Sequence, residues 1–255
     1  MKSILSFNRV RKSFGNVVAL DSISFEVPEN KIIGLIGANG AGKTTALRHI
    51  IRYLRPDTGS ILFKEKDIYS LPDTDFPVTY IPDTPVFFDE LSVMEHLSFI
   101  SAMYGTEKEV EPLIDLLELK KHLDKVPFKL SKGTKQKLMV ACAVLRQFEL
   151  LVADEPFQGL DPVQINVLRQ MLIDQKEKGK TVLVSTHLLS MVESMCDSYI
   201  MIDEGRLLAE GSLKDIVSQH NIVASLEELY LYLANSNQDY PDGASFTGDG
   251  GDDEE

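Results

Sequence analysis

The sequence has few of the features that mark secreted, membrane-spanning or nucleic-acid-binding proteins. Its 255 residues include two cysteines, which is too few for a disulfide framework and is typical of a reducing cytosol. No apolar run approaches the roughly 18 residues of a membrane span, and residues 1–8 lack the apolar core of a secretory signal. Lysine and arginine number 26 against 39 aspartate and glutamate, a net charge of −13. This acidic excess argues against nucleic acid as a partner.

The acidic excess is concentrated at the C-terminus. Residues 239–255 hold seven carboxylates and no lysine or arginine, so that residues 1–238 carry a net charge of only −6. Because a segment so poor in apolar residues has nothing to bury, we expect 237–255 to be a disordered acidic tail. A solvated chain end is the simpler interpretation, and a regulatory or docking role is the alternative. The rest of the chain is long enough for one large domain or two small ones.

A glycine-rich segment at 37–44 reads Gly-Ala-Asn-Gly-Ala-Gly-Lys-Thr and fits the phosphate-binding P-loop pattern G-x-x-x-x-G-K-[ST]. An apolar run of strand length (31–36) precedes it, and 45–54 follows with apolar residues at helical spacing. Glycines let backbone N–H groups turn inward, and a helix N-terminus adds partial positive charge. Lys43 can then reach the outer phosphates, and the Thr44 hydroxyl can bind Mg²⁺. An ordinary glycine-rich turn is the alternative, which the strand–turn–helix context disfavours.

An apolar strand that ends in two acids forms a second candidate site at 150–155. In α/β sheets, active sites lie at the carboxyl ends of the strands. Asp154 is placed to hold Mg²⁺, directly or through water, and Glu155 can take a proton from an attacking water. A strand followed by a solvated acidic turn is the alternative, and the upstream P-loop makes it the weaker one.

The remaining sequence alternates between strand-like and helix-like segments. Apolar and polar residues alternate at 23–27, as in a half-buried strand, and 92–104 has helical spacing. This alternation predicts an α/β fold with a mostly parallel sheet covered by helices. The block from about 86 to 148 is poor in strands and predicts an inserted helical subdomain. The expected strands are 3–10, 17–27, 61–63, 78–82, 149–153, 181–185 and 198–202, and the expected helices are 92–104, 107–119, 134–148, 162–178, 188–196, 212–220 and 225–235.

A capped turn precedes the predicted helix at 134–148. It reads Leu130-Ser131-Lys132-Gly133-Thr134, and Ser131 is a residue type that caps helices. The exposed N-terminus of that helix is a second potential anion site. Without the rest of the chain, a simple helix cap would be the preferred interpretation.

Taken together, these motifs resemble the ATP-binding subunit of an ABC transporter. In that family a signature turn lies between the P-loop and the acidic strand, as 130–134 does here. A loop matching Gly159-Leu160-Asp161 follows the acids, a histidine matching His187 ends the next strand, and an aromatic residue matching Phe14 lies before the P-loop. Alone, Phe14 would be assigned to a core and His187 to a strand end. The resemblance covers roughly residues 4–212.

The resemblance implies a P-loop NTPase (RecA-like) fold with an antiparallel β subdomain and an inserted helical one. Residues 1–212 would form the nucleotide-binding domain, and 213–236 a C-terminal helical extension. The implied cofactors are ATP and Mg²⁺. Lys43, Glu155 and His187 would be catalytic, and Thr44, Asp83 and Asp154 would hold the metal. The implied nucleotide-binding residues are Phe14, Asn39, Gly40, Ala41, Gly42, Lys43, Thr44, Thr45, Ser131, Gly133 and Asp161.

The sequence departs from the family pattern at positions that bear on both sites. Lys132 replaces a glycine of the signature, Thr134 replaces its glutamine, and Asp83 replaces the glutamine before the helical subdomain. Asp83 can bind a cation but has no N–H to donate. These variations are similar to those of exporters for drugs, peptides or lantibiotics and of Ecs-like subunits. The Lys132 side chain is expected to point into water; a nearby phosphate is the alternative.

The resemblance also implies an activity and partners. Two cassettes would face each other head to tail, each ATP lying between one P-loop and the Ser131/Gly133 turn of the mate, a second copy or a sister chain. Hydrolysis would drive an exporter through a transmembrane permease, which would hold the chain on the cytoplasmic face of the membrane. A soluble ABC-type ATPase acting on ribosomes or DNA and a module that binds ATP without turnover are the alternatives. The presence of both Glu155 and His187 argues against the latter.

Overall fold

The central strands of the structure are buried along their whole length. These are β3 (Ile32–Ile36), β7 (Leu150–Asp154) and β8 (Thr181–Thr186). Strands of a parallel sheet that is covered on both faces have no solvent side, which explains their nearly continuous apolar sequences. The computed structural model describes residues 2–220 and 225–237.

These strands belong to a six-stranded sheet in the order β10-β9-β3-β8-β7-β6. All neighbouring pairs are parallel except β10–β9, which is an antiparallel hairpin at one edge. The carboxyl ends of β3, β7 and β8 therefore meet along one edge of the sheet. The other strands of this sheet are β6 (Val78–Ile81), β9 (Ser198–Asp203) and β10 (Arg206–Gly211).

A second, antiparallel sheet has the order β2-β1-β4-β5. Its apolar side shares a core with one face of the large sheet, and the stacked rings of Phe7 and Phe25, 4.3 Å apart, lie in that core. This arrangement confirms the predicted antiparallel β subdomain. Its strands are β1 (Ser3–Phe14), β2 (Val17–Pro28), β4 (Thr58–Phe63) and β5 (Lys66–Asp67).

Helices cover the large sheet, and three of them follow β6 before the chain returns as β7. Ser92 and Glu95 form a reciprocal capping box at the start of this helical block. Across the described part of the chain, no helix is both long and apolar enough to cross a membrane. The helices are α1 (Lys43–Ile50), α2 (Val93–Tyr104), α3 (Val110–Leu116), α4 (Lys132–Leu145), α5 (Pro162–Glu177), α6 (Leu189–Glu193), α7 (Leu213–His220) and α8 (Leu226–Asn237).

The predicted α/β class is confirmed, although several segments differ from the expectation. The helix predicted at 188–196 is only α6, because the chain then turns so that the Asp197 carboxylate accepts the Ile32 N–H at 2.8 Å. The Ser131 cap starts α4 two residues earlier than predicted. Strand β10 was not predicted because it is only half buried. Beyond Asn237, the expected acidic tail lies outside the described residues.

Candidate nucleotide-binding site

The glycine-rich loop leads from β3 directly into α1 and has a backbone that requires glycine. Gly40 and Gly42 adopt φ angles of 85° and 104°, in the region that side chains disfavour. A Cβ atom on Gly42 would lie 2.5 Å from the Ala19 carbonyl oxygen. No side chain caps α1, so that its first N–H groups remain available to an anion.

The Lys43 side chain is buried beneath this loop and rests on its carbonyl groups. The side chain is only 6% exposed. Its Nζ donates to the Gly37 oxygen at 2.6 Å and to the Ala38 oxygen at 3.1 Å. Burial lowers the pKa of Lys43, while the charges of Glu155 and Asp154 oppose that shift. The ammonium group is thus held on loop carbonyls that a phosphate oxygen can replace.

Both acids at the end of β7 are positioned by one serine of the neighbouring strand. Asp154 is buried, and its Oδ1 accepts a hydrogen bond from Ser185 Oγ at 2.5 Å. The backbone N–H of Glu155 donates to the Ser185 carbonyl oxygen at 3.1 Å and to Ser185 Oγ at 3.2 Å. Glu155 has a φ of 45°, a left-handed conformation that is costly for a residue with a side chain. Tertiary hydrogen bonds to Ser185 maintain this conformation.

One oxygen of Glu155 lies between the two other catalytic candidates. Its Oε1 is 2.9 Å from His187 Nδ1 and 3.8 Å from Lys43 Nζ. The three side chains come from the ends of β7 and β8 and from the start of α1. A carboxylate held in this way keeps one orientation relative to the loop.

A cavity of about 540 Å³ opens above the loop, a size ordinary for small-molecule sites. Gln158 also lines it, although no sequence motif singled this residue out. Ala41 is buried instead. The predicted site residues that line the cavity are Asn39, Gly40, Gly42, Lys43, Thr44, Thr45, Asp83, Asp154, Glu155 and His187.

Phe14 does not line this cavity. It lies at the end of β1, half exposed, with Lys12 Nζ 5.6 Å from the centre of its ring. Its strand partner Val17 contributes to the cavity wall instead, together with Val18 and Ala19. The sequence signal that could have identified this wall is the pair of adjacent apolar residues, Val17 and Val18, directly after the predicted turn; both are exposed in the structure.

The signature turn lies outside the cavity and packs against the loop that precedes α5. Ser131 Oγ accepts the Thr134 N–H at 3.2 Å, and Asp161 Oδ1 accepts the Gln164 N–H at 2.9 Å. A Cβ atom on Gly133 would lie 2.9 Å from Gln164 Oε1. Gln164 Oε1 is the end of a flexible side chain, so this distance shows only that the starts of α4 and α5 lie close together.

The Lys132 side chain is exposed to water, as expected, and also lies along this same loop. A Cβ atom on Gly159 would be 2.8 Å from Lys132 Cδ, and Lys132 Nζ donates to Gln158 Oε1 at 3.2 Å. Gln158 lines the nucleotide cavity. Lys132 thus connects the signature turn to a residue of the cavity within one chain.

Comparison with known proteins agrees with this geometry. A family model described as "ABC transporter" matches residues 20–158, more than half of the chain. The chain belongs to the ABC transporter ATP-binding family. It is therefore an ATPase with the P-loop NTPase fold, and the resemblance seen in its motifs is confirmed.

Individual members of this family align with nearly all of the chain. It is 40% identical to the ABC-type transporter ATP-binding protein EcsA of Bacillus subtilis, over 91% of this chain and 96% of that protein. It is 31% identical to the lantibiotic transport ATP-binding protein SrtF of Streptococcus pyogenes, over 89% and 96%. A solved structure of an ATP binding subunit of an ABC transporter is 38% identical and superposes with a TM-score of 0.84, over 91% of this chain and 99% of that one.

Replacing Glu155 with glutamine tests whether its carboxylate acts as the base. We expect Glu155→Gln to retain ATP binding and to lower the steady-state ATPase rate by about 100-fold or more, the scale of a lost general base. The rate is measured by phosphate release and ATP binding by calorimetry. Glu177→Gln, an exposed change on α5, is the matched control. A near-normal rate in Glu155→Gln would exclude the role.

Replacing Lys132 with methionine tests whether its ammonium group forms an ion pair with an anion. Methionine keeps the aliphatic contact with Gly159, and Gln158, the partner lost, is neutral. We therefore expect ATPase rates within about 2-fold of wild type, since exposed hydrogen bonds contribute little. The ratio should not change between low and high salt, because no charge pair is screened. A larger defect that salt abolishes would instead place a phosphate or carboxylate next to Lys132.

Proposed function

We propose that this chain is the ATP-hydrolysing subunit of a membrane exporter and that ATP drives closure of a pair of such subunits. The main support is the convergence of Lys43 and His187 on Glu155 Oε1 at the edge of a cavity of about 540 Å³, which is large enough for a nucleotide. The relatives named for lantibiotic transport support the exporter branch. The same convergence makes a module that binds ATP without turnover the poorer account.

In the proposed reaction, Lys43 leaves the Gly37 and Ala38 carbonyl oxygens and pairs with the outer phosphates of ATP. Glu155 orients an attacking water and accepts its proton, and its orientation is fixed from both sides before substrate arrives. His187 holds Glu155 at one ring nitrogen and contacts the γ-phosphate. The products are ADP and inorganic phosphate.

The donor set of the cavity fits Mg²⁺. The Thr44 hydroxyl and the Asp83 and Asp154 carboxylates line the same space, and oxygen ligands are those that Mg²⁺ prefers. Within residues 2–220 and 225–237, no group of three acidic, histidine or cysteine side chains forms a closed metal cage. That is compatible with Mg²⁺, which is commonly held by one or two carboxylates together with substrate phosphates. When bound, it would offset charge on the phosphates.

A second cassette would complete the site. Ser131, Gly133 and Asp161 are absent from the chain's own cavity lining, while the turn that carries Ser131 is exposed. In a head-to-tail pair, this turn would cover the nucleotide of the mate, and each chain would supply both halves. The γ-phosphate then adds contacts that only the closed pair makes, and its loss favours opening. The mate is a second copy or a sister chain.

A permease would dock on an exposed apolar patch formed by Phe88, Phe99 and Met103. Phe88 is 56% exposed and packs edge-on against Phe99 with ring centres 5.8 Å apart. Met103 lies one helical turn further along α2. Exposed apolar patches of this kind mark protein–protein contacts. The occupant that we propose is an apolar cytoplasmic segment of the permease, which would hold the chain peripherally on the inner face of the membrane.

These assignments give the proposed domain organisation. Residues 1–212 would be the nucleotide-binding domain, with the permease patch in the helical subdomain at about 86–148. The extension at 213–236 contains α7 and most of α8.

Closure of the pair can be tested with a charge at the signature turn. In a Glu155→Gln background we expect Mg-ATP, but not Mg-ADP, to produce dimers in analytical ultracentrifugation. Adding Ser131→Asp should abolish the dimer, because aspartate keeps the helix cap but repels phosphate. Ser131→Asn keeps the cap without charge and should still dimerise. Dimers that persist in Ser131→Asp would contradict the head-to-tail arrangement.

Docking can be tested at the apolar patch. We expect the full chain to co-purify from detergent-solubilised membranes with a polytopic membrane protein identified by mass spectrometry. Phe88→Asp should lose that partner while keeping the ATPase rate of the isolated chain, because the patch lies outside the cavity lining. Leu116→Asp, a comparably exposed position on α3, is the control. Equal recovery of the partner with both variants would rule out the patch.

A further inference from the structure

The C-terminal helix α8 touches the phosphate-binding loop through one hydroxyl group. The backbone N–H of Ala38, the second residue of the loop, donates a hydrogen bond to the Tyr230 hydroxyl oxygen at 2.8 Å. No sequence motif singled out Tyr230, which is 192 positions away along the chain. The nucleotide loop therefore has a direct contact with the extension that follows the cassette.

The peptide group that Tyr230 holds is the one on which Lys43 rests. The Gly37 carbonyl and the Ala38 N–H belong to a single planar unit. Its oxygen accepts from Lys43 Nζ at 2.6 Å, while its N–H donates to Tyr230 on the other side. A rotation of this peptide would break both hydrogen bonds. The next carbonyl, that of Ala38, accepts from Lys43 Nζ and from the Ala41 N–H, each at 3.1 Å.

Tyr230 is itself held in place by packing. Leu226, Leu229 and Leu233 recur at helical spacing on the buried side of α8. The Tyr230 hydroxyl lies 3.5 Å from Asp203 Oδ1 at the end of β9, so that it can donate to the carboxylate while accepting from Ala38. Partial burial raises the pKa of Tyr230, and the hydroxyl keeps the proton that this arrangement needs.

We propose that Tyr230 is a positioning residue for nucleotide binding and that α8 thereby sets the affinity of the P-loop. By fixing the Gly37–Ala38 peptide, the hydroxyl reduces the conformational freedom that the loop would otherwise lose when it closes on phosphates. The proposal rests on the nucleotide role assigned to the loop. ATP and ADP should respond equally, because the loop cradles phosphates that both nucleotides carry.

The test compares Tyr230→Phe, which removes only the hydroxyl, with wild type in the full chain. A single hydrogen bond is worth roughly 0.5–1.5 kcal/mol, or about 2- to 12-fold in a binding constant. We expect Kd for both ATP and ADP in calorimetry to rise about 3- to 10-fold, and KM to rise in parallel. The turnover number should stay within about 2-fold, since Tyr230 is not among the cavity-lining residues.

The matched control is Tyr232→Phe on the same helix, whose ring packs against His220. It should leave both dissociation constants unchanged. Hydrogen–deuterium exchange supplies a readout independent of activity: Tyr230→Phe should speed exchange in the loop segment 37–42 without doing so in α8.

The possible outcomes separate this inference from the proposed function. Wild-type protein that fails to bind ATP would refute the nucleotide site itself. Nucleotide affinities that are unchanged in Tyr230→Phe, while wild type binds, would overturn only the role of Tyr230. A lowered melting temperature without a change in Kd would do the same, because it would show that the hydroxyl serves only to dock α8.

Discussion

Parallel pairing of β8 with both β3 and β7 is the constraint on which the site depends. The register places Ile36 opposite Thr186 and Asp154 opposite Ser185, so that the loop, the acids and the histidine leave the sheet at one edge. Burial of these strands on both faces holds them together in the interior of the sheet. The geometry of the candidate site is in this sense a consequence of core packing.

The sequence pointed to the candidate catalytic residues more readily than to the residues that hold them in place. Motif spacing singled out Lys43 and Glu155, and the family resemblance added His187; the structure brings these three side chains together. Ser185 and Tyr230 escaped notice because a serine in a buried strand and a tyrosine on an amphipathic helix are common in any core. Their roles depend on contacts between elements far apart in the chain. Phe14 shows the converse: its position fits the family pattern, but its strand partner faces the cavity.

Two residues of the site are held in conformations or environments that are unfavourable on their own. Glu155 has an unfavourable backbone conformation, and Lys43 is a cation whose burial lowers its pKa. Each is offset by neighbours: Ser185 holds the Glu155 backbone, while loop carbonyls and carboxylates solvate the ammonium. A buried ammonium such as that of Lys43 is stabilised further when a ligand brings negative charge next to it. Of the departures from the family pattern, Asp83 adds a carboxylate to the cavity lining and Lys132 adds a cation at the signature turn, beside Gln158.

The segment that joins β6 to α2 connects the cavity to the surface of the protein. Asp83 lines the candidate nucleotide cavity, while Phe88, five positions later, is exposed on the surface. Five residues span at most about 17 Å when fully extended, and residues 83–88 contain no helix or strand. If a bound cation displaced the Asp83 carboxylate, the movement would therefore be transmitted to Phe88 and to a permease docked there. Because this connection is so short, a change at the cavity and a movement of the exposed patch would occur together.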